Sequence, residues 1–154
     1  MRLFAPEWDP DSTDVAFTPP HIFDALGIGF DLDPAAPPGG VPWVPAKNIY
    51  TEADDGLTQP WQGRVWLNPP YSAPAPWIEK LANHGDGIAL MPADTATRWF
   101  QDWVTLGDAW CFIRDRLRFV RNGTDTSARF PSVLVAYGDI SACAVETCGL
   151  GWVP

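Results

Sequence analysis

The run Arg64-Val65-Trp66-Leu67-Asn68-Pro69-Pro70-Tyr71 holds the residue types in this chain best suited to chemistry. Val65 to Leu67 reads as a short apolar strand. Asn68-Pro69-Pro70 must end it, because proline donates no ladder hydrogen bond and restricts the residue before it. The strand therefore delivers Asn68, Pro69, Pro70 and Tyr71 to its own carboxyl end, the edge of an open α/β sheet where ligands bind. Asn68 offers a side-chain carbonyl oxygen, the Pro69 carbonyl precedes a residue with no N–H, and Tyr71 adds a flat π-face with a polar tip. Together they suit a planar ring that carries an amino group.

Two acidic pairs and one basic cluster come next. Asp31 and Asp33 lie two apart, hence on one face if extended, and an acid at the carboxyl end of such a strand is a partner for ribose hydroxyls. Asp54-Asp55-Gly56 forms an acidic turn that needs no function to explain it. Arg114, Arg116 and Arg118 alternate with Asp115, Leu117 and Phe119, which places three guanidinium groups on one face of an extended segment. With Arg121 and Arg129 they make five of the ten Lys and Arg residues within sixteen positions. Aligned cations repel unless something anionic is bound, and nucleic-acid phosphate is the natural candidate. Pairing with the chain's own acids, Asp115 among them, is the alternative.

The elements that must position these groups are short. Thr18 as N-cap and Pro19 as first helical residue predict a helix that closes at Gly27. Ile28 to Leu32, Gly87 to Met91, Ala109 to Ile113 and Ser132 to Tyr137 read as further strands. Helices are expected over Trp77 to Asn83 and, capped by Asp94, over Thr95 to Leu106. Pro34 to Pro45 reads as a loop pinned by Trp43, residues 72–76 and 120–130 as substrate-facing loops, and Ala142 to Pro154 as a tail without a strong signal.

At 154 residues the chain suits one domain, with residues 1–16 an irregular arm packed by Phe4 and Trp8. Cys111, Cys143 and Cys148 are odd in number and form no CxxC, so reduced thiols are expected. Two histidines make a zinc site unexpected, and no apolar run has membrane-spanning length. A net charge of −9 opposes phosphate binding, although the basic cluster is local.

Asn-Pro-Pro-Tyr after a buried strand resembles the catalytic motif of amino-methyltransferases. Its company sharpens the likeness: Phe17-Thr18-Pro19-Pro20, Phe30-Asp31-Leu32-Asp33-Pro34-Ala35-Ala36, Tyr50-Thr51 with Asp54-Asp55-Gly56-Leu57, Trp61, Met91-Pro92-Ala93 with Thr95, Thr97, Trp99 and Phe100, and Arg116-Leu117-Arg118-Phe119. That order and spacing resembles the phage-encoded Dam-type DNA N6-adenine methyltransferase family over residues 17–138. The resemblance implies an α/β fold, a compact, truncated class I S-adenosylmethionine-dependent methyltransferase (Rossmann-like) sheet with helices on both faces, and a single domain over residues 17–154. It implies methyl transfer from S-adenosylmethionine to a flipped-out adenine in DNA, with Asn68, Pro69, Pro70 and Tyr71 as the catalytic turn and Tyr71 stacked on the base. Thr18 and Pro19 would lie near the cofactor, Asp31 or Asp33 at its ribose, and Asp54 or Asp55 at its adenine. Arg114, Arg116, Arg118 and Arg121 would contact DNA. No metal and no membrane partner is expected, and the host cytoplasm is the expected location. The chain departs from larger methyltransferases in lacking a glycine-rich loop after its first strand. Cytosine-N4 or RNA-adenine methylation, and a non-catalytic acidic DNA mimic of the same fold, are the alternatives.

Overall fold

A computed structural model describes residues 17–121, 124–128 and 130–154. The expected arm at 1–16 and Arg129 lie outside them. One seven-stranded sheet runs β1 (Phe30–Asp33), β2 (Ala46–Ile49), β3 (Val65–Leu67), β4 (Gly87–Pro92), β5 (Ala109–Ile113), β8 (Ser132–Tyr137) and β9 (Gly151–Trp152), in the spatial order β2-β1-β3-β4-β8-β5-β9. The first four are mutually parallel, and β8 is antiparallel to both β4 and β5. It follows that β5 runs with β3 and β4 and ends at the same edge. β6 (Arg118–Arg121) and β7 (Thr124–Ser127) form a separate hairpin.

Alternation along the strands sorts the core onto two faces. Trp66, Ile88, Leu90 and Leu134 pack on one face with Ile22, Phe23 and Leu26 of α1 (Pro20–Leu26) and Val145 of α4 (Asp139–Thr147). Val65, Leu67, Ala89, Met91, Val133 and Val135 pack on the other with Ile78 and Leu81 of α2 (Ala75–His84) and Phe100 of α3 (Arg98–Asp102). Helices thus cover both faces. Burial on both sides explains why β3 is apolar throughout.

Several boundaries differ from those the sequence predicts. Helix α1 begins at Pro20, with Pro19 at the cap position, and Thr18 caps nothing there; Gly27 does end it, at φ 66°. The strand expected over Ile28 to Leu32 lies at Phe30–Asp33. The long helix expected from Thr95 is replaced by the short α3, capped by the Thr97 hydroxyl rather than by Asp94, and a 3-10 turn at Val104–Leu106. Strand β2 was not expected, because Lys47 and Asn48 are poor strand formers on an exposed edge. The tail forms α4 and β9, whose small buried residues Ser141, Ala142 and Ala144 leave little apolar periodicity to read. Arg114 to Arg118 is not one extended segment: Asp115 takes φ 60°, and β6 starts only at Arg118. The three guanidinium groups therefore do not share one strand face.

Candidate active site

From β1 the chain moves to β2 on one side, then crosses to β3 on the other. The carboxyl ends of β1 and β3 thus flank the point where strand order reverses, the position at which open α/β sheets form a ligand crevice. Register pairs Leu32 with Val65. Asp33 and Asn68 leave their neighbouring strands at that edge.

Around Asn68 three segments meet. The Asn68 amide nitrogen donates to Thr18 Oγ1 at 3.2 Å, and the Trp43 indole donates to the Thr18 carbonyl at 2.7 Å. Phe17 exchanges both backbone hydrogen bonds with Val120 of β6. Tyr71 donates its hydroxyl to the Leu90 carbonyl at 3.1 Å and meets the Phe119 ring edge-on at 6.3 Å. Burial pushes its phenol well above the usual range, so it stays neutral. The hydroxyl is thereby anchored below while the side chain stays half-buried. Trp43 was expected only to pin its loop, and Phe119 carried no role at all. Their aromatic type was the visible signal, but a contact across 25 residues is not.

The two β1 acids part company. Asp31 sits level with Arg64, before β3, where its carboxylate accepts the Arg64 N–H at 2.7 Å and lies 3.7 Å from the Lys47 ammonium. The backbone bond first, then the Lys47 and Arg64 charges, hold its carboxyl below the usual value. Asp33 is 5% exposed at the carboxyl end, where it accepts the Ala35 N–H at 3.3 Å. Burial pushes its carboxyl up to about 7, against the lowering effect of that bond.

The acidic turn packs directly over the end of β1. A Cβ on Gly56 would come within 2.0 Å of the Pro34 carbonyl oxygen, so only glycine permits the approach. Lys80 ties the turn from below, donating to the Leu57 and Gln59 carbonyls while standing 5.0 Å over the Trp61 ring; Trp61 in turn donates to the Gly56 carbonyl. Asp54 spends its carboxylate on the N–H and hydroxyl of Thr51, and Asp55 adopts φ 55° beside it. Gly56→Ala should lower unfolding free energy by about 1–3 kcal/mol in a urea titration, through forced backbone displacement.

The arginines distribute around the same edge. Arg114 follows β5 directly and Arg118 opens β6, both exposed; Arg116 donates to the Ala128 carbonyl at 3.3 Å. Arg121 contributes its backbone to the hairpin opposite Thr124.

Comparison with known proteins shows the family. The family model for "DNA N-6-adenine-methyltransferase (Dam)" matches residues 9–136. Over 106 residues, 64% of this chain, it is 33% identical to a DNA N-6-adenine-methyltransferase of Haemophilus phage HP1. Over 80 residues, 47% of the chain, it is 35% identical to one of Escherichia phage T1. The matches span 60% and 32% of those two proteins.

Proposed function

Because the chain belongs to the Dam family of DNA N-6-adenine-methyltransferases, we propose that it transfers a methyl group from S-adenosylmethionine to the N6 amine of a flipped-out adenine in DNA. The observation that carries this reading is the position of Asn68-Pro69-Pro70-Tyr71: it leaves β3 at the switch point, beside a buried acid on β1 and a built acidic turn.

The donor set fits the cofactor. Asp33 is the acid at the strand end and supplies acceptors for ribose hydroxyls, whereas Asp31 is engaged at the level of Arg64. The Asp54-Asp55-Gly56 turn stands over Pro34 and is the recognition element for the cofactor's adenine. An acidic lining suits a ligand that carries a sulfonium and an ammonium group. When bound, S-adenosylmethionine supplies an electrophilic methyl group.

The chain's own residues then have little acid–base work to do. The Asn68 side-chain carbonyl and the Pro69 carbonyl accept the two amine hydrogens and stabilise the positive charge that grows on nitrogen. Tyr71, fixed through Leu90 and Phe119, presents its ring to the extruded base. Arg114 and Arg118 contact phosphate at the rim, which keeps the DNA partner with a protein of net charge −9.

Calorimetric titration with S-adenosylmethionine tests the cofactor assignment: saturable one-site binding is expected, and no heat would point to the non-catalytic alternative. For the rim, Arg114→Gln combined with Arg118→Gln should flatten the log–log salt dependence of DNA affinity by about two units, since two counterions are no longer released. Anisotropy of labelled DNA across a potassium chloride series reads the slope. An unchanged slope with a lowered melting temperature would instead make these arginines structural.

A further inference from the structure

We propose that Thr18 is a positioning residue for Asn68, holding the amide so that its oxygen, not its nitrogen, faces the reacting amine. The inference rests on the methyl-transfer reading for what Asn68 does, and on geometry alone for what Thr18 does to it.

An asparagine amide presents an acceptor on one side and two donors on the other, and rotation about its last bond exchanges them. Only one orientation suits an amine that must give up hydrogen bonds. Thr18 Oγ1 accepts the Asn68 Nδ2 donor at 3.2 Å, which engages the nitrogen edge of the amide. Thr18 is itself 2% exposed and held from several sides. Its carbonyl accepts the Trp43 indole N–H at 2.7 Å, Phe17 before it is bridged to Val120, and the Phe17 ring meets Trp43 edge-on at 6.4 Å. The hydroxyl is not used to cap α1, whose first residue is Pro20 and whose cap position makes no side-chain bond. Thr18 stands one residue before the Pro19 cap position, and its hydroxyl is directed to a side chain 50 residues along the chain. Trp43 lies on the loop that leaves Asp33, so the same contact links the β1 ligand loop to the orientation of Asn68.

The test uses Thr18→Val, which keeps the shape and removes the acceptor, with Thr18→Ser as the conservative control. Four quantities are read: the side-chain amide signal of Asn68 in a ¹H–¹⁵N spectrum, assigned by its loss in Asn68→Ala; kcat and KM for a DNA substrate; and S-adenosylmethionine affinity without DNA. In Thr18→Val the Asn68 signal should shift and exchange faster with water. Its kcat should fall by roughly 3- to 10-fold, the weight of one neutral hydrogen bond, with cofactor affinity within about twofold of the original. Thr18→Ser should restore the Asn68 signal and kcat. An Asn68 signal unmoved in Thr18→Val overturns the proposal, as does a loss of cofactor affinity equal to the loss of kcat, which would make Thr18 a cofactor contact. A protein that transfers no methyl group even unaltered refutes the proposed function instead, while the amide signal still decides whether Thr18 holds Asn68.

Discussion

Asn68→Ala should lower kcat for DNA methylation by about 10²-fold or more, roughly 2.7 kcal/mol of transition-state stabilisation, with S-adenosylmethionine affinity within about twofold of the original protein. In the proposed reaction the Asn68 carbonyl meets the amine most strongly as that nitrogen becomes cationic, so its loss would weigh on the transition state rather than on ground-state binding. The fold should survive, because Asn68 lies beyond β3 and is only half-buried, while Val65, Trp66 and Leu67 carry the packing. Single-turnover kinetics with labelled cofactor separate the chemical step from binding. A variant with undiminished turnover would remove Asn68 from the reaction.

Asp33 yields the second large effect, and it carries a pH signature. With its carboxyl raised to about 7 by burial, the free protein holds Asp33 neutral in mildly acidic solution and ionised above neutrality. Ribose hydroxyls donate to the ionised form, so cofactor affinity should rise with pH up to and through about 7 and then level off. Stability should move the other way. A group whose folded pKa exceeds its unfolded one, near 3.8, stabilises fully below 3.8 and loses that contribution as pH rises to about 7. Asp33→Asn should flatten both profiles and weaken cofactor binding at pH 8 by about 1.5–3 kcal/mol, roughly 10- to 150-fold. Calorimetry across pH 5 to 8, paired with thermal melts of the free protein, reads the two trends. Parallel rather than opposed slopes would place the ribose contact elsewhere, with the Asp54-Asp55 turn the next candidate.

What could be read from the sequence follows from how local each signal is. Strand β3 and its proline stop were legible because apolar run, terminator and chemical residues are contiguous. So were β5 and β8, buried strands with clear ends. Legibility failed where an element draws its stability from partners distant in sequence. β2 exists because Phe30, Leu32 and Asp33 offer it an edge, and α4 because small residues fit tightly against β5 and β8. The arginine alternation was a true period in the letters, but Asp115 at φ 60° breaks the extended backbone that gives such a period its meaning. The site divides likewise. The Asn68–Tyr71 turn was visible as a motif, whereas the proposal of Asp33 rather than Asp31 at the ribose depends on which is level with Arg64 and which with the strand end. The Thr18–Asn68 bond spans 50 residues and has no trace in spacing.

Adenine-N6 methylation of DNA at the Asn68–Tyr71 edge can be read from the nucleoside that takes up the methyl group. Unmethylated DNA is incubated with the protein and isotopically labelled S-adenosylmethionine, digested to nucleosides and separated by chromatography with mass detection. The label should appear in N6-methyldeoxyadenosine with the unaltered protein and fall about 10²-fold or more with Asn68→Ala. Label in N4-methyldeoxycytidine, or none in any nucleoside while S-adenosylmethionine is demonstrably bound, would contradict it.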